Sequence, residues 1–328
     1  MQRNRAIDIA KGITIILMIL GHFNSLWNTV IFYMIFSFHM PLFFIFSGYF
    51  YKPKTNREFF TNGYNRLLKP YIITAIIAIA ISFICYNKNA GVDYLLGALI
   101  GCMGSWNPLI KTYELQAGPI WFLLALFWCQ IYYNIIQRKC SKYSTVICIL
   151  LSLFFWKFSE KVINLPLCLG CAFTALIFYE AGKLLRENGI DSSRYRWTLY
   201  LIWIAAFHFT YLNMAQYIYT WFPLSMTGAI CGTIAIYDFS KKISTWMGIS
   251  TLLIYIGQHT LEILCCHTIA WISRCYILKM LCIEETPLNM DISYAILTII
   301  YTIPILIFKG FKPYFIIRKV SFQNWRID

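Results

Sequence analysis

Long apolar runs broken by short polar clusters make up most of the chain. About twenty apolar residues cross a bilayer core as a helix. The pattern predicts ten crossings, at 8–28, 30–50, 68–86, 119–137, 143–157, 164–183, 197–213, 217–238, 246–273 and 291–309. An eleventh run, 92–105, is short, glycine-rich and only weakly apolar, and reads as a re-entrant or surface segment. The expected fold is all-α: a polytopic integral membrane protein of about ten transmembrane helices, both termini cytoplasmic. One transmembrane domain is expected over 1–328, ending in a short basic cytoplasmic tail at 310–328.

Charge tests this division. With the N-terminus inside, 22 of the 28 basic residues fall in inner segments, the asymmetry that sets membrane orientation. Lys88, Lys111, Lys157, Lys161, Arg274 and Lys279 remain outside. Counting 92–105 as a span would flip every later loop and remove the asymmetry. The first run has a charged start but no small-residue cleavage site, so it is expected to be retained as a helix.

Composition agrees. The chain is 59% hydrophobic and 13% charged, with a mean hydropathy of +0.61, outside the range of soluble domains. Its net charge of +14 follows from basic loops beside helices and calls for lipid headgroups as partners, not nucleic acid. Twelve cysteines lie mostly inside apolar runs without the spacing of a zinc site and read as packing residues; no metal is expected. Cys102, Cys275 and Cys282 fall in loops assigned to the outside, where one disulfide could form.

Candidate chemistry starts on the first run. At 100° per residue, Asp8, Lys11 and His22 share a narrow sector of one helix face. A charged group placed mid-membrane costs about 2.5–3.5 kcal/mol, so such residues face a protein interior or a wet cavity. His22 is the leading candidate. His39, on the inward-running second span, sits at similar depth. Tyr255, His259, Glu262 and Cys266 recur at helical spacing on one stripe, where Glu262 calls for a partner from another helix. The plainer alternative for a membrane histidine is a hydrogen bond to a neighbouring helix, and this is the expectation for His208. Glu180, three residues before Lys183, reads as a structural pair. Arg5 and Lys11 either anchor the membrane edge or, with Arg66 and Lys69, cradle phosphates arriving from the cytoplasm.

Several motifs agree with one family. Arg5-x-x-Asp8-x-x-Lys11-Gly12 through Gly21-His22, then Phe38-His39-Met40-Pro41-Leu42-Phe43-Phe44 with Ser47-Gly48-Tyr49, Arg66-Leu67-Leu68-Lys69-Pro70-Tyr71 and Trp121-Phe122-Leu123 resemble the membrane acyltransferase family 3, which O-acylates surface glycans. The run Asp8 to Ile13 followed by Gly21-His22, and Ile256-Gly257-Gln258-His259-Thr260-Leu261 ending at His267, are similar to its fucose 4-O-acetylase branch. The resemblance implies ten helices in a bacterial cytoplasmic membrane. It implies acetyl-CoA as co-substrate with no permanently bound cofactor, and a surface glycan or lipid-linked sugar as acceptor. It implies His22 as the essential histidine with His39 in the second-span motif, and Arg5 and Lys11 near the donor; the residues themselves add Glu262 to the expected catalytic centre and Arg66 and Lys69 to the donor side. Trp121, His259 and His267 would stand on the acceptor side, although Trp121 also suits an interfacial anchor. Lys11 replaces the arginine of many relatives, keeping charge but losing the planar fork. A neutral histidine suits acyl transfer as general base or as nucleophile. Two rivals stand beside this: a proton-coupled transporter of a glycan or small solute, although no internal repeat is visible, and a subunit relaying acyl groups to a separate protein.

Overall fold

The computed structural model describes residues 4–86, 88–100, 118–161, 165–191 and 195–323, with side chains described throughout these except at 159–161 and 309–323. Cys102 and Lys111, singled out above, lie outside the described residues, as do residues 324–328 of the tail. The chain is almost wholly helical: α1 (Arg5–Gly21), α2 (Val30–Phe36), α3 (His39–Tyr49), α4 (Asn56–Gly63), α5 (Lys69–Cys85), α6 (Lys88–Ile100), α7 (Trp121–Cys140) and α8 (Ser144–Lys161) form the first half. The second half holds α9 (Leu169–Thr174), α10 (Leu176–Asn188), α11 (Arg196–Phe209), α12 (Phe222–Ile243), α13 (Met247–Gln258), α14 (Thr260–Met280) and α15 (Pro287–Gln323). A two-residue antiparallel hairpin pairs Leu212 with Tyr219 and Asn213 with Ile218.

Among the described residues, five helical stretches are long and apolar enough to cross a membrane: Val30–Tyr49, Asn56–Cys85, Gly118–Phe158, Thr260–Met280 and Pro287–Phe308. The pair Pro166–Thr174 and Leu176–Asn188, bent by 44°, makes a sixth. Several runs that read as single spans are broken. The first ends at Gly21, so α1 has 17 residues and His22 is its cap, not a residue inside it. The run at 246–273 breaks at His259, whose backbone (φ −113°, ψ 23°) is not helical. The stripe Tyr255, His259, Glu262, Cys266 is therefore split between α13 and α14. Helix α6, with 13 residues, reaches only about 20 Å at 1.5 Å per residue, too short to cross alone.

The outside of the bundle is apolar. On α15, Ile292, Ile296, Ile299, Ile303 and Ile307 recur at helical spacing and are exposed, while Asp291, Tyr294, Thr298 and Thr302 are buried. A soluble protein would rarely show such a stripe, whereas lipid covers it. The chain is thus a multi-pass membrane protein whose polar residues turn inward.

Two close crossings hold the centre. A Cβ on Gly12 of α1 would strike the carbonyl of Leu253 on α13, and one on Gly257 would strike the carbonyl of Asp8. The same reciprocal contact joins α3 and α10: Gly48 lies against the carbonyl of Tyr179, and Gly182 against that of Ile45. Small residues let backbones approach where lipid supplies no hydrophobic drive for association.

Buried charge is satisfied at Glu180, which is only 2% exposed. Ser144 and Thr145 donate to it at 3.0 and 2.7 Å, Tyr133 donates as well, and Lys183 lies 3.9 Å away. The expected pair with Lys183 is present, but hydroxyls from α7 and α8 do most of the satisfying. Among the cysteines, Cys275 and Cys282 carry free thiols.

Gly12→Val and Gly257→Val are each expected to abolish the monodisperse peak in size-exclusion chromatography. Gly248→Val, where a Cβ meets open space, should shift stability by no more than about 0.5 kcal/mol. Glu180→Ala should lower the melting temperature sharply, because each buried hydroxyl left without its acceptor costs about 1–3 kcal/mol. A melting curve matching wild type would show that the cluster does not support the fold.

Candidate active site

Helix α1 presents Lys11, Ile15, Met18 and His22 at i, i+4, i+7 and i+11, a single stripe turned away from α13. Two cavities open along it. The first, about 700 Å³, is lined by Lys11, Lys52, Lys54 and Arg66 at its polar part and by Ile15, Phe43, Phe122, Leu123 and Leu264 elsewhere. The second, about 430 Å³, is lined by His22, His39, Trp121, Tyr211, Asn213 and Gln216 among others. Among the described residues, the basic chamber and the aromatic chamber share two lining residues, Met18 and Met40. Along the α1 axis Lys11 and His22 stand about 16 Å apart.

Local structure positions the cations. Asn134 of α7 is buried; it accepts from the Tyr51 hydroxyl at 3.0 Å and donates to the Lys54 carbonyl at 3.2 Å and to Asn56 at 2.9 Å. This fastens the turn that carries Lys52 and Lys54. Thr55 and Glu58 then close a capping box that starts α4. Between α4 and α5 the backbone forms a π turn, Tyr64–Leu68, in which the Lys69 N–H reaches the Tyr64 carbonyl. Pro70 has no N–H to offer the Arg66 carbonyl, so the wider turn forms there. Arg66 lines the chamber, while Lys69 is exposed and lines neither cavity. Arg5 is likewise exposed and away from both.

The two imidazoles of the aromatic chamber are held alike. His22 Nδ1 lies 2.8 Å from the Met18 carbonyl, and His39 Nδ1 lies 2.9 Å from the Ile35 carbonyl across the break between α2 and α3. A carbonyl only accepts, so each Nδ1 carries the proton and each Nε2 offers a lone pair. The turn after His22 is fixed by buried Asp291 of α15, which accepts from the N–H groups of Asn24 at 2.7 Å and Ser25 at 3.0 Å. The mouth of the chamber is shaped by the hairpin at 212–219, where Asn213 donates to Gln216 at 3.0 Å and to the Tyr211 hydroxyl at 2.9 Å. Trp121, at the first position of α7 behind Gly118 (φ +63°), forms another wall.

His267, on α14, packs its ring edge-to-face on His22 with centroids 5.2 Å apart and pairs through Nδ1 with the Tyr294 hydroxyl. It stands behind His22, not on the chamber wall. Glu262 and His259 are elsewhere: they lie 3.7 Å apart, three residues from each other, and line neither cavity. His259, which precedes the first residue of the same helix, is one partner of Glu262. His208 is exposed and bonds the Ile204 carbonyl at 2.9 Å.

Arg274 corrects the placement inferred from charge. It does not sit in an outer loop, because α14 continues to Met280, and it is buried at 6% exposure. Its guanidinium lies over the rings of Trp271 at 5.3 Å and Tyr294 at 5.7 Å, within coulombic range of His22. Aromatic faces accept a cation that a charge-counting rule assigns to a loop. Nothing in the local sequence pointed to Arg274, Tyr294 or Asp291, since each acts through a helix far along the chain.

No curated protein and no solved structure matches the chain. The family model of the acyltransferase 3 type, described as an acyltransferase domain, matches residues 4–311, which takes in both chambers and every helix that lines them. Over that length the chain belongs to this family of membrane acyltransferases.

Proposed function

We propose that the protein transfers an acetyl group from cytoplasmic acetyl-CoA to a hydroxyl of a surface glycan or lipid-linked sugar at the bacterial cytoplasmic membrane. The observation that carries this is the pair of chambers abutting at Met18 and Met40, with cations on one side and two acceptor imidazoles on the other. In this reading the chain crosses ten times with both termini cytoplasmic, as the distribution of basic residues requires.

An acyl-CoA is a polyanionic head on a long uncharged arm. Lys11, Lys52, Lys54 and Arg66 suit its phosphates. The apolar part of the same chamber suits the arm, with the thioester reaching the methionine pair. A sugar fits the aromatic chamber, where Trp121 and Tyr211 offer ring faces and Asn213 and Gln216 offer amides. His22 Nε2 takes the proton of the acceptor hydroxyl, whose oxygen attacks the thioester carbonyl. The tetrahedral intermediate collapses, the carbon–sulfur bond breaks, and the imidazolium returns its proton to the leaving thiolate. His39 Nε2 holds a neighbouring hydroxyl. His267 and Tyr294 support the His22 ring from behind.

The test uses the purified full chain in lipid nanodiscs with acetyl-CoA and a panel of p-nitrophenyl glycosides, read by thiol release and product mass. Polysaccharide acetylation in strains with and without the gene is compared alongside. His22→Ala, at wild-type expression and elution, is expected to lose about 10²–10⁴-fold in rate. Full transfer by that variant would remove His22 from the chemistry. Lys11→Gln should raise KM for acetyl-CoA about tenfold with kcat little changed, while Lys11→Arg keeps both. Movement of labelled sugar without covalent change would mark a transporter instead.

A further inference from the structure

Among the described residues, Met18 and Met40 alone border both chambers, and both are buried, at 2% and 7% exposure. They come from different helices. Met18 stands one turn before His22 on α1, and Met40 follows His39 on α3. The carbonyl of Met18 also holds His22 Nδ1 at 2.8 Å, so the shared border of the chambers lies beside the imidazole that acts on the acceptor.

From this geometry we infer that the Met18–Met40 pair selects the acyl chain by length, admitting acetyl and rejecting longer chains. The inference rests on the transfer reaction proposed above. In that reaction the carbon–sulfur bond of the donor breaks and the bond between acyl carbon and sugar oxygen forms, with the proton passing through His22. The donor enters from the basic chamber and the acceptor waits in the aromatic one, so the carbonyl carbon must stand at their shared border when the new bond forms. The remainder of the acyl chain must then share that space with two thioether side chains. Acetyl adds one methyl. Each further methylene has to displace methionine atoms packed among Ile15, Phe43 and Phe122.

Methionine suits such a place physically. Its unbranched side chain fills an irregular gap and changes rotamer at low cost, so it closes around a small group yet yields to a passing one. Apolar walls distinguish chains differing by one methylene by about 10–200-fold, the range that acetyl selectivity needs. The selecting atoms are side-chain atoms alone. The hydrogen bond that orients His22 uses the main chain of Met18 and survives any substitution there.

The experiment compares acetyl-CoA, butyryl-CoA and hexanoyl-CoA as donors to p-nitrophenyl glycosides, with full-length wild type, Met18→Ala and Met40→Ala in nanodiscs. Wild type is expected to prefer acetyl, and each alanine variant to raise the butyryl-to-acetyl ratio of kcat/KM by about tenfold or more. Met18→Phe and Met40→Phe add bulk and form the second pair, informative even if the alanine variants fail to fold. They should cut acetyl transfer by about tenfold or more while the Kd for a non-hydrolysable acetyl-CoA thioether stays within about twofold of wild type. An unchanged chain-length profile in folded alanine variants, or undiminished acetyl transfer in the phenylalanine variants, overturns the inference and leaves the transferase reading standing. Absence of transfer from any donor by wild type overturns both.

Discussion

The close approach of α1 to α13 is the contact on which the rest of the molecule depends. Gly12 and Gly257 each sit against a carbonyl of the facing helix, so neither can carry a side chain without separating the two backbones. This turns one side of α1 into a permanent seam. The neighbouring stripe of Lys11, Ile15, Met18 and His22 is left to line a continuous series of cavities. Helix α3 is arranged in the same manner. Gly48 fixes it to α10, and Met40, Phe43 and Ser47 face the basic chamber. Two glycine seams thus hold two stripes that line the same cavities.

A membrane interior makes polar residues expensive unless each finds a partner, and this chain meets the requirement by long-range pairing. Glu180 draws hydroxyls from α7 and α8. Asp291 caps the turn after His22 from a helix more than 260 positions later. Arg274 is held over two aromatic rings behind the histidines. These groups are not at the chamber surface, yet they decide where the surface groups stand. A buried carboxylate that accepts two backbone N–H groups fixes a turn more firmly than apolar packing does.

The candidate residues on α1 and α3 were legible because titratable groups inside apolar runs are rare and costly, whatever the fold. His22, His39 and Trp121 do line one chamber, and Lys11 and Arg66 line the other. Glu262 and His259 looked equally eligible by that criterion. Helical spacing put them on a stripe with Cys266, but the helix breaks at His259, and the two residues partner each other away from both cavities. Arg5 and Lys69 were chosen for their charge and for the family-like motifs they stand in, and neither reports which way a side chain turns.

The sequence by itself determined that this is a helical membrane protein with basic connecting loops, that its first run carries an ionisable face, and that its motifs are those of an acyltransferase. The first two properties follow from local composition, because a bilayer tests each segment separately for apolar length and for charge at its ends, and the third rests on resemblance to a known family. Only the tertiary structure decided where the helices break, which cations turn toward a cavity, and that Met18 and Met40 each border both chambers. Each of these rests on contacts between segments distant in the chain, such as Gly12 with Leu253 or Asn24 with Asp291. No window of sequence contains both partners of such a contact, so its geometry becomes readable only when the helices are packed.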